Sequence, residues 1–457
     1  MSINEVPRYL VSPKPPIVRD ELLHIGAGLR FSQNPTDYLS QLRREYGDTY
    51  LVDVFGYKLF CVFSPVGLQS LYAAAEDEAS FGMATFDMLG FKTLLEVFMD
   101  ADIDLFYALL TPDRVADYVP LFQQDIDLVL DEWGPAGELD VFDTIRTLEQ
   151  RVGFRVWLGE EATAPDIWPQ LKAQLDVLSQ ENAFVNPQAT LETLTSDKAR
   201  ERAAIAEITA ILDTILQRRS ELAEQPRDTL AFLCERFADP DPAVTLRKVT
   251  HNAINANQGF LSNLYAGLAW CLIHLQRDPG LRQSIRDEVS ATRARHGDAL
   301  HASQDALDSM LRCEQLLMES VRLAQRSITL RKVMREIEFD CGDVCYTLQP
   351  GVYVTTMLSV LNTQTPELAQ FDIDHYHGRK IDPGLVADGR ETISTFGHGK
   401  HACPAQKFSH NMCKLLITAL LDRFEFSAIE TPIAPSPAQM GGVARPASDV
   451  VLRYQRR

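Results

Sequence analysis

The sequence predicts a mainly α fold with small β-sheets, organised as one large domain. Three observations lead there. From about Ser64 to residue 325 apolar residues recur mostly with a helical period, β-rich alternation concentrates at 47–63 and 328–356, and no linker-like tract divides the 457 residues. With 46% hydrophobic residues, the chain can bury a sizeable core.

The elements follow in order. Residues 1–20, with Pro7, Pro13, Pro15 and Pro16, read as an extended lead-in. Residues 47–63 carry two β-rich runs around Phe55-Gly56-Tyr57, a hairpin pattern. Amphipathic stretches predict helices near 96–110, 119–133, 141–158, 168–181, 198–224, 243–277, 280–296 and 305–325. The 243–277 stretch is the long central helix. Its most apolar part, Ala253 to Leu275, holds Asn255, Asn257, Gln258, Asn263 and His274, too many polar groups for a lipid-facing span of about 20 residues, so it is expected to be buried in protein. After the second β-rich region, the segment 395–424 reads as a Gly-rich loop and a last helix starting near Pro404, a residue favoured at a first helical position.

Charge narrows the function classes. With 44 Lys+Arg against 63 Asp+Glu, the net charge is −19, which repels phosphate backbones and anionic lipid. No nucleic-acid or membrane partner is expected; the partner is a small molecule. The N-terminus lacks the basic start and apolar run of a signal peptide, and the eight cysteines are too dispersed for a disulfide scaffold, so a soluble, cytoplasmic protein is expected.

The chemistry concentrates in Thr395-Phe396-Gly397-His398-Gly399-Lys400-His401-Ala402-Cys403-Pro404-Ala405. Its glycines allow a tight turn that delivers Cys403 to the start of a helix, where orphan N–H groups and the helix dipole favour a thiolate able to ligate a metal. An ordinary buried cysteine in a Gly-rich turn is the bland alternative. A zinc set of His398, His401, Cys403 and His410 is another, although its spacing matches no zinc pattern. The order Phe396-x-x-Gly399-x-His401-x-Cys403 closely resembles the haem-binding loop of the cytochrome P450 superfamily, Phe-x-x-Gly-x-Arg/His-x-Cys-x-Gly, with Ala405 where glycine is usual. The resemblance implies a P450-like fold and haem b, iron protoporphyrin IX, as cofactor. It also implies Cys403 as axial thiolate, His401 on a haem propionate and Phe396 beside the sulfur.

Glu319 and Arg322 lie three apart on one helix face and resemble the family's Glu-x-x-Arg. Their apolar neighbours Leu316, Met318, Val321 and Leu323 suggest a buried pair, where a solvated surface pair is the alternative. The resemblance places its further partner at Phe371-Asp372-Ile373-Asp374-His375-Tyr376, with His375 where arginine is usual. It also points Arg331, on the following strand, at a propionate. A solvent-facing basic residue among Arg331, Lys332 and Arg335 is the alternative.

The sequence departs from the family in two places. The central helix lacks the acid-alcohol pair that delivers protons for O–O cleavage, because no Asp or Glu lies between Arg247 and Asp278. Aligning Trp270-Cys271-Leu272 with that helix's usual end puts Ser262 and Asn263 near the pair's positions. Asn255, Gly259, Ser262 and Asn263 share one helix face, which either meets ligand in a haem-facing cavity or bridges neighbouring helices. Asn255, Ser262 and Asn263 are therefore the candidate catalytic residues. Asn-Ala-Asn-Gln-Gly at 255–259 is also similar to the central helix of the family's atypical branch, which rearranges or dehydrates hydroperoxides. Second, residues 76–117 hold ten acids against Lys92 and Arg114, an acidic face expected to repel an acidic electron donor.

Both departures favour a substrate that already carries its oxidising equivalent, an N–O or O–O bond. The expected function is a haem-thiolate oxidoreductase of small-molecule biosynthesis performing transfer, rearrangement, dehydration or peroxygenation, with a redox partner not required. A conventional NAD(P)H- and O2-dependent monooxygenase acting on an apolar molecule and a non-catalytic haem-binding sensor are the alternatives. The apolar, amide-dotted segments 81–110, 181–196, 255–263 and 326–330 are expected to line the pocket and leave substrate identity open.

Overall fold

A computed structural model describes residues 10–20, 22–90, 92–179, 192–193, 195–224, 226–261, 263–376 and 394–457. The chain folds as two compact units. The first comprises Met1–Gly90, Met318–Cys403 and Ala434–Ala447, and the second Phe91–Leu317, Pro404–Ile433 and Ser448–Arg457. The chain passes from one to the other inside the helix Leu311–Ala324 and again between Cys403 and Pro404.

The first unit is organised by a five-stranded sheet whose strands lie in the order Thr49–Val54, Tyr57–Val62, Val352–Met357, Ile328–Val333, Ala79–Ser80. The predicted hairpin is present, with Val54 opposite Tyr57. Its turn is the pair Phe55-Gly56, both at positive φ (51° and 95°), which matches the right-handed strand twist. Tyr57–Val62 pairs in parallel with Val352–Met357, which is antiparallel to Ile328–Val333. Every residue of Val352–Met357 is buried, as befits an interior strand covered on both faces. A second sheet joins Val11–Ser12, Cys345–Leu348 and Ile337–Asp340.

The second unit is mainly helical, with a three-stranded sheet of Phe424–Phe426, Val451–Arg456 and Ala136–Asp140. Its core includes an aromatic cluster: Phe408 of the helix Gln406–Arg423 lies 4.8 Å from Phe122 and 5.4 Å from Trp157 between ring centroids. Leu264–Gln276 is buried all round, whereas in the amide-bearing part expected to be buried with it Asn255, Asn257 and Gln258 are half-buried and Asn263 is exposed. Among the described residues no helix is long and apolar enough to cross a membrane.

Several predicted helices divide. The central helix runs Pro242–Leu261 and resumes as Leu264–Arg277, with Asn263 in a turn before the second part at φ −115° and ψ −26°. Apolar period continued through this point, but Gly259, Ser262 and Asn263 are weak helix formers. The 96–110 stretch becomes Leu95–Met99 and Ile103–Leu109, because Asp102 accepts from the N–H groups of Asp104 and Leu105 and starts a new helix. The 305–325 stretch is likewise Gln304–Asp308 and Leu311–Ala324. The last helix starts at Gln406, two residues after Pro404.

Candidate haem-thiolate site

The Cys403 loop closes on itself. The Cys403 N–H donates to the Phe396 carbonyl at 2.6 Å, and a short 3-10 turn, Gly399–His401, fills the loop between them. Two glycines make that path accessible: Gly397 and Gly399 sit at φ +73° and +57°, and a Cβ on Gly397 would lie 2.6 Å from the His401 carbonyl oxygen. Cys403 is half-buried and three residues upstream of the last helix. None of the eight cysteines is in a disulfide. Among the described residues no group of three or more His, Cys, Asp or Glu is placed to hold a metal ion on protein ligands alone, which removes the zinc alternative.

Glu319 and Arg322 are both fully buried, so the solvated-pair alternative falls. Arg322 donates from Nε and Nη2 to the two Glu319 oxygens at 2.7 and 2.6 Å. Its Nη1 reaches the carbonyls of Asn362 and Leu368, and Nη2 that of Gln370. His375 Nδ1 lies 3.0 Å from Glu319 Oε1, which also accepts from the Asp372 N–H. Sequence reasoning missed how this network reaches the Cys403 loop. Asn362 donates to the carbonyls of Arg322 and Ser394 and accepts from the Ser394 N–H, while Tyr376 Oη meets Thr395 Oγ1 at 2.8 Å. Ser394 and Thr395 lead directly into Phe396, so the buried ion pair and the loop share one frame. Nothing local marks Asn362, which is 40 residues from Arg322.

Arg331 is fully buried on its strand, not solvent-facing. Nη1 donates to the Leu330 carbonyl, whereas Nε and Nη2 are buried without a hydrogen-bond partner among the described residues. Burial lowers the guanidinium to about 10, against the opposing pull of Tyr72 and Glu76. A buried cation with two unspent donors fits a carboxylate ligand such as a haem propionate. Phe81 is close to both Arg331 and His401, its ring centroid 5.1 Å from the guanidinium carbon and 5.9 Å from the imidazole centroid. His398, edge-on to Tyr72 at 5.1 Å, has both ring nitrogens buried without a hydrogen-bond partner among the described residues, and burial pushes its pKa below the ordinary value.

On the central helix of the second unit, the amides bridge to neighbours. Asn255 donates to the Val97 carbonyl at 3.0 Å and Gln258 to the Leu178 carbonyl at 3.3 Å. Asn252, which the sequence reading passed over, takes the Asp102 N–H and gives to the Asp100 carbonyl. Gly259 lets Phe106 approach so closely that a Cβ would sit 2.8 Å from its ring. Asn263 is exposed at the helix junction; Ser262 lies outside the described residues, as does most of 181–196.

The acidic segment needs correcting, because many of its acids have partners distant in sequence. Glu76 caps the N–H groups of Phe81 and Gly82, Asp77 and Glu78 meet Arg335, and Asp87 accepts from Lys332 and Tyr353. Glu96 meets Arg202, Asp100 meets His251 and Arg247, and Asp102 meets Arg236. The hydrogen bond from Arg236 is the largest cause holding Asp102 below the usual carboxylate range. A face paired in this way repels an acidic donor less than its charge count implied.

The chain is similar in sequence to known proteins. The family model for Cytochrome P450 matches residues 13–453. Cytochrome P450 7B1 of Mus musculus is 21% identical, over 97% of this chain and 90% of its own length. Sterol 14alpha-demethylase of Mycolicibacterium vanbaalenii is 22% identical over 76% of this chain and 75% of its own length. A putative cytochrome P450 120 of Synechocystis is 21% identical over 90% and 92%.

Proposed function

Because the chain belongs to the cytochrome P450 family, we propose that it opens an N–O or O–O bond already present in its substrate, without depending on the usual dioxygen pathway. It is a haem-thiolate oxidoreductase with haem b as cofactor and a small molecule as substrate. When bound, the haem supplies a redox-active iron, and a thiolate ligand pushes electron density that favours cleavage of such bonds.

Cys403 holds the iron in this reading, supported by the loop that its N–H closes on Phe396. Phe396 packs beside the sulfur, and Gly399 gives the loop its turn. Arg331 and His401 hold propionate, supported by the two unspent donors of the buried guanidinium. Glu319, Arg322 and His375 keep the frame around the loop rigid.

The observation that carries the proposal is the missing acid. No carboxylate lies on the central helix from 248 to 277, and among the described residues Asp100, Asp102 and Asp239, which meet this helix, already serve His251, Arg247, Arg236 and Lys248. A positioned acid or base is commonly worth about 10²–10⁴ in rate, so dioxygen chemistry lacking one is slow. An N–O or O–O substrate avoids that loss, with Ser262 and Asn263 orienting the leaving group. Asn255 supports them from one face while its amide is engaged with Val97. The reaction is then a transfer, rearrangement, dehydration or peroxygenation.

A second reading follows from the relatives' names. A 25-hydroxycholesterol 7-alpha-hydroxylase of Rattus norvegicus, 23% identical over 64% of this chain, favours a monooxygenase acting on a sterol-like molecule. The test compares turnover of an organic hydroperoxide and an oxime without reductase against turnover of their unactivated parents with NADPH, reductase and oxygen. Faster reaction of the activated compounds supports the proposal. Faster reaction of the parents, with coupled oxygen consumption, establishes the monooxygenase, and turnover of neither points to a haem sensor.

A further inference from the structure

We infer that Phe81 is a positioning residue that aims Arg331 and His401 at one carboxylate of the cofactor; this rests on the reading that those two side chains hold a haem propionate. Arg331 does not aim itself. Among the described residues its side chain's only hydrogen bond goes back to the carbonyl of its own strand, at Leu330, and Nε and Nη2 have no hydrogen-bond partner. The guanidinium lies over the Phe81 ring at 5.1 Å, within the range of a cation–π contact, and the same ring lies 5.9 Å from the His401 imidazole at an angle of 52°. One aromatic ring thus touches two groups from distant parts of the sequence.

Phe81 is itself held at both ends of its helix, Phe81–Leu89. At the start, Glu76 accepts the N–H groups of Phe81 and Gly82 and the Ser80 hydroxyl, which in turn caps Met83. Near the end, Asp87 accepts from Lys332 Nζ and Tyr353 Oη, both at 2.7 Å, and Tyr57 Oη donates to the Asp87 carbonyl. Lys332 follows Arg331 on the same strand, so the strand that carries the guanidinium also fixes the helix that carries the ring. Phe81 is 42% exposed and lies outside the buried core, and its fixed position serves the two groups it touches.

The test reads cofactor retention. Haem transfer from the ferric holoenzyme to excess apomyoglobin is followed in the Soret region for Phe81→Leu, Phe81→Tyr, Arg331→Gln, His401→Gln and the Phe81→Leu/Arg331→Gln double variant. Phe81→Leu is expected to lose haem roughly three- to tenfold faster, the ratio set by one partly exposed cation–π contact, and Phe81→Tyr to keep nearly the parent rate. The double variant is expected to be no faster than Arg331→Gln alone. If Arg331→Gln and His401→Gln speed haem loss while Phe81→Leu does not, or if the double variant multiplies the two effects, the positioning role is wrong and the propionate reading stands. Parent rates for both Arg331→Gln and His401→Gln overturn the propionate reading and the Phe81 role with it. Far-UV circular dichroism confirms that each variant is folded, and Phe81→Met replaces Phe81→Leu should the latter not fold.

Discussion

Glu319 and Arg322, fully buried, share their oxygens and nitrogens with His375, Asn362 and the backbone of 368–372, whereas Asn255 and Gln258 of the central helix each make one bond to a neighbouring backbone carbonyl. The first region is charged and many-partnered, so removing one member strands a buried charge. The second is neutral and held bond by bond, so each amide is worth about 1 kcal/mol. The frame of the Cys403 loop is thus held by a network, and the central helix by single bonds.

The largest expected effect is at the loop. Cys403→Ala should abolish the thiolate-type absorbance of the reduced carbon-monoxide complex, and a variant that kept the band would show that another group ligates the iron. Arg322→Ala comes next. Severing this buried pair should cost about 3–5 kcal/mol and yield little soluble, haem-loaded protein. Normal expression and haem content would erase the contrast between the two regions.

A buried charged cluster in the second unit calibrates the comparison. Lys414, fully buried, donates to Glu314 at 2.8 Å, and His410 lies 3.3 Å from the same oxygen. Burial raises the Glu314 pKa, but the bonds from His410 and Lys414 outweigh it and bring it to about 2. The sign follows from the lowered folded value. Glu314 stabilises the fold above its unfolded pKa of 4.5, and this contribution, on the order of 3 kcal/mol, disappears as pH falls towards 2. Glu314→Gln should therefore flatten the dependence of unfolding free energy on pH between about 5 and 2, measured by urea titration; an unchanged slope would place the acid sensitivity elsewhere.

The smallest effect is expected at Asn255. Losing the bond to Val97 in Asn255→Ala should cost about 1 kcal/mol in stability, with turnover falling less than tenfold. A drop of about 10² or more in kcat at unchanged stability would move Asn255 from helix support to direct action on the leaving group.

How much of this was legible depended on range in sequence. The Cys403 loop and the Glu319–Arg322 pair declared themselves because their parts lie within eight and three residues of one another. The hairpin at 47–63 was equally local, with only its turn narrower than expected. Asn362, Phe81 and the Thr395–Tyr376 bond stayed hidden, since their roles exist only after distant strands and helices meet. The acidic run at 76–117 misled for the same reason: a charge count cannot see Arg202, which meets Glu96 from 106 residues away. In the central helix, apolar periodicity persisted through the turn at Asn263, so a pattern based on burial could not report where the helix divides.

The central claim is that the oxidising equivalent arrives with the substrate, and the origin of the oxygen in the product tests it most directly. The holoenzyme is given an organic hydroperoxide under 18O2, with NADPH and reductase present, and the product is analysed by mass spectrometry. The account predicts that the oxygen in the product comes from the unlabelled hydroperoxide, with no 18O incorporated and no dependence of rate on the reductase. Incorporation of one 18O atom per product, at a rate that follows reductase concentration, would contradict it.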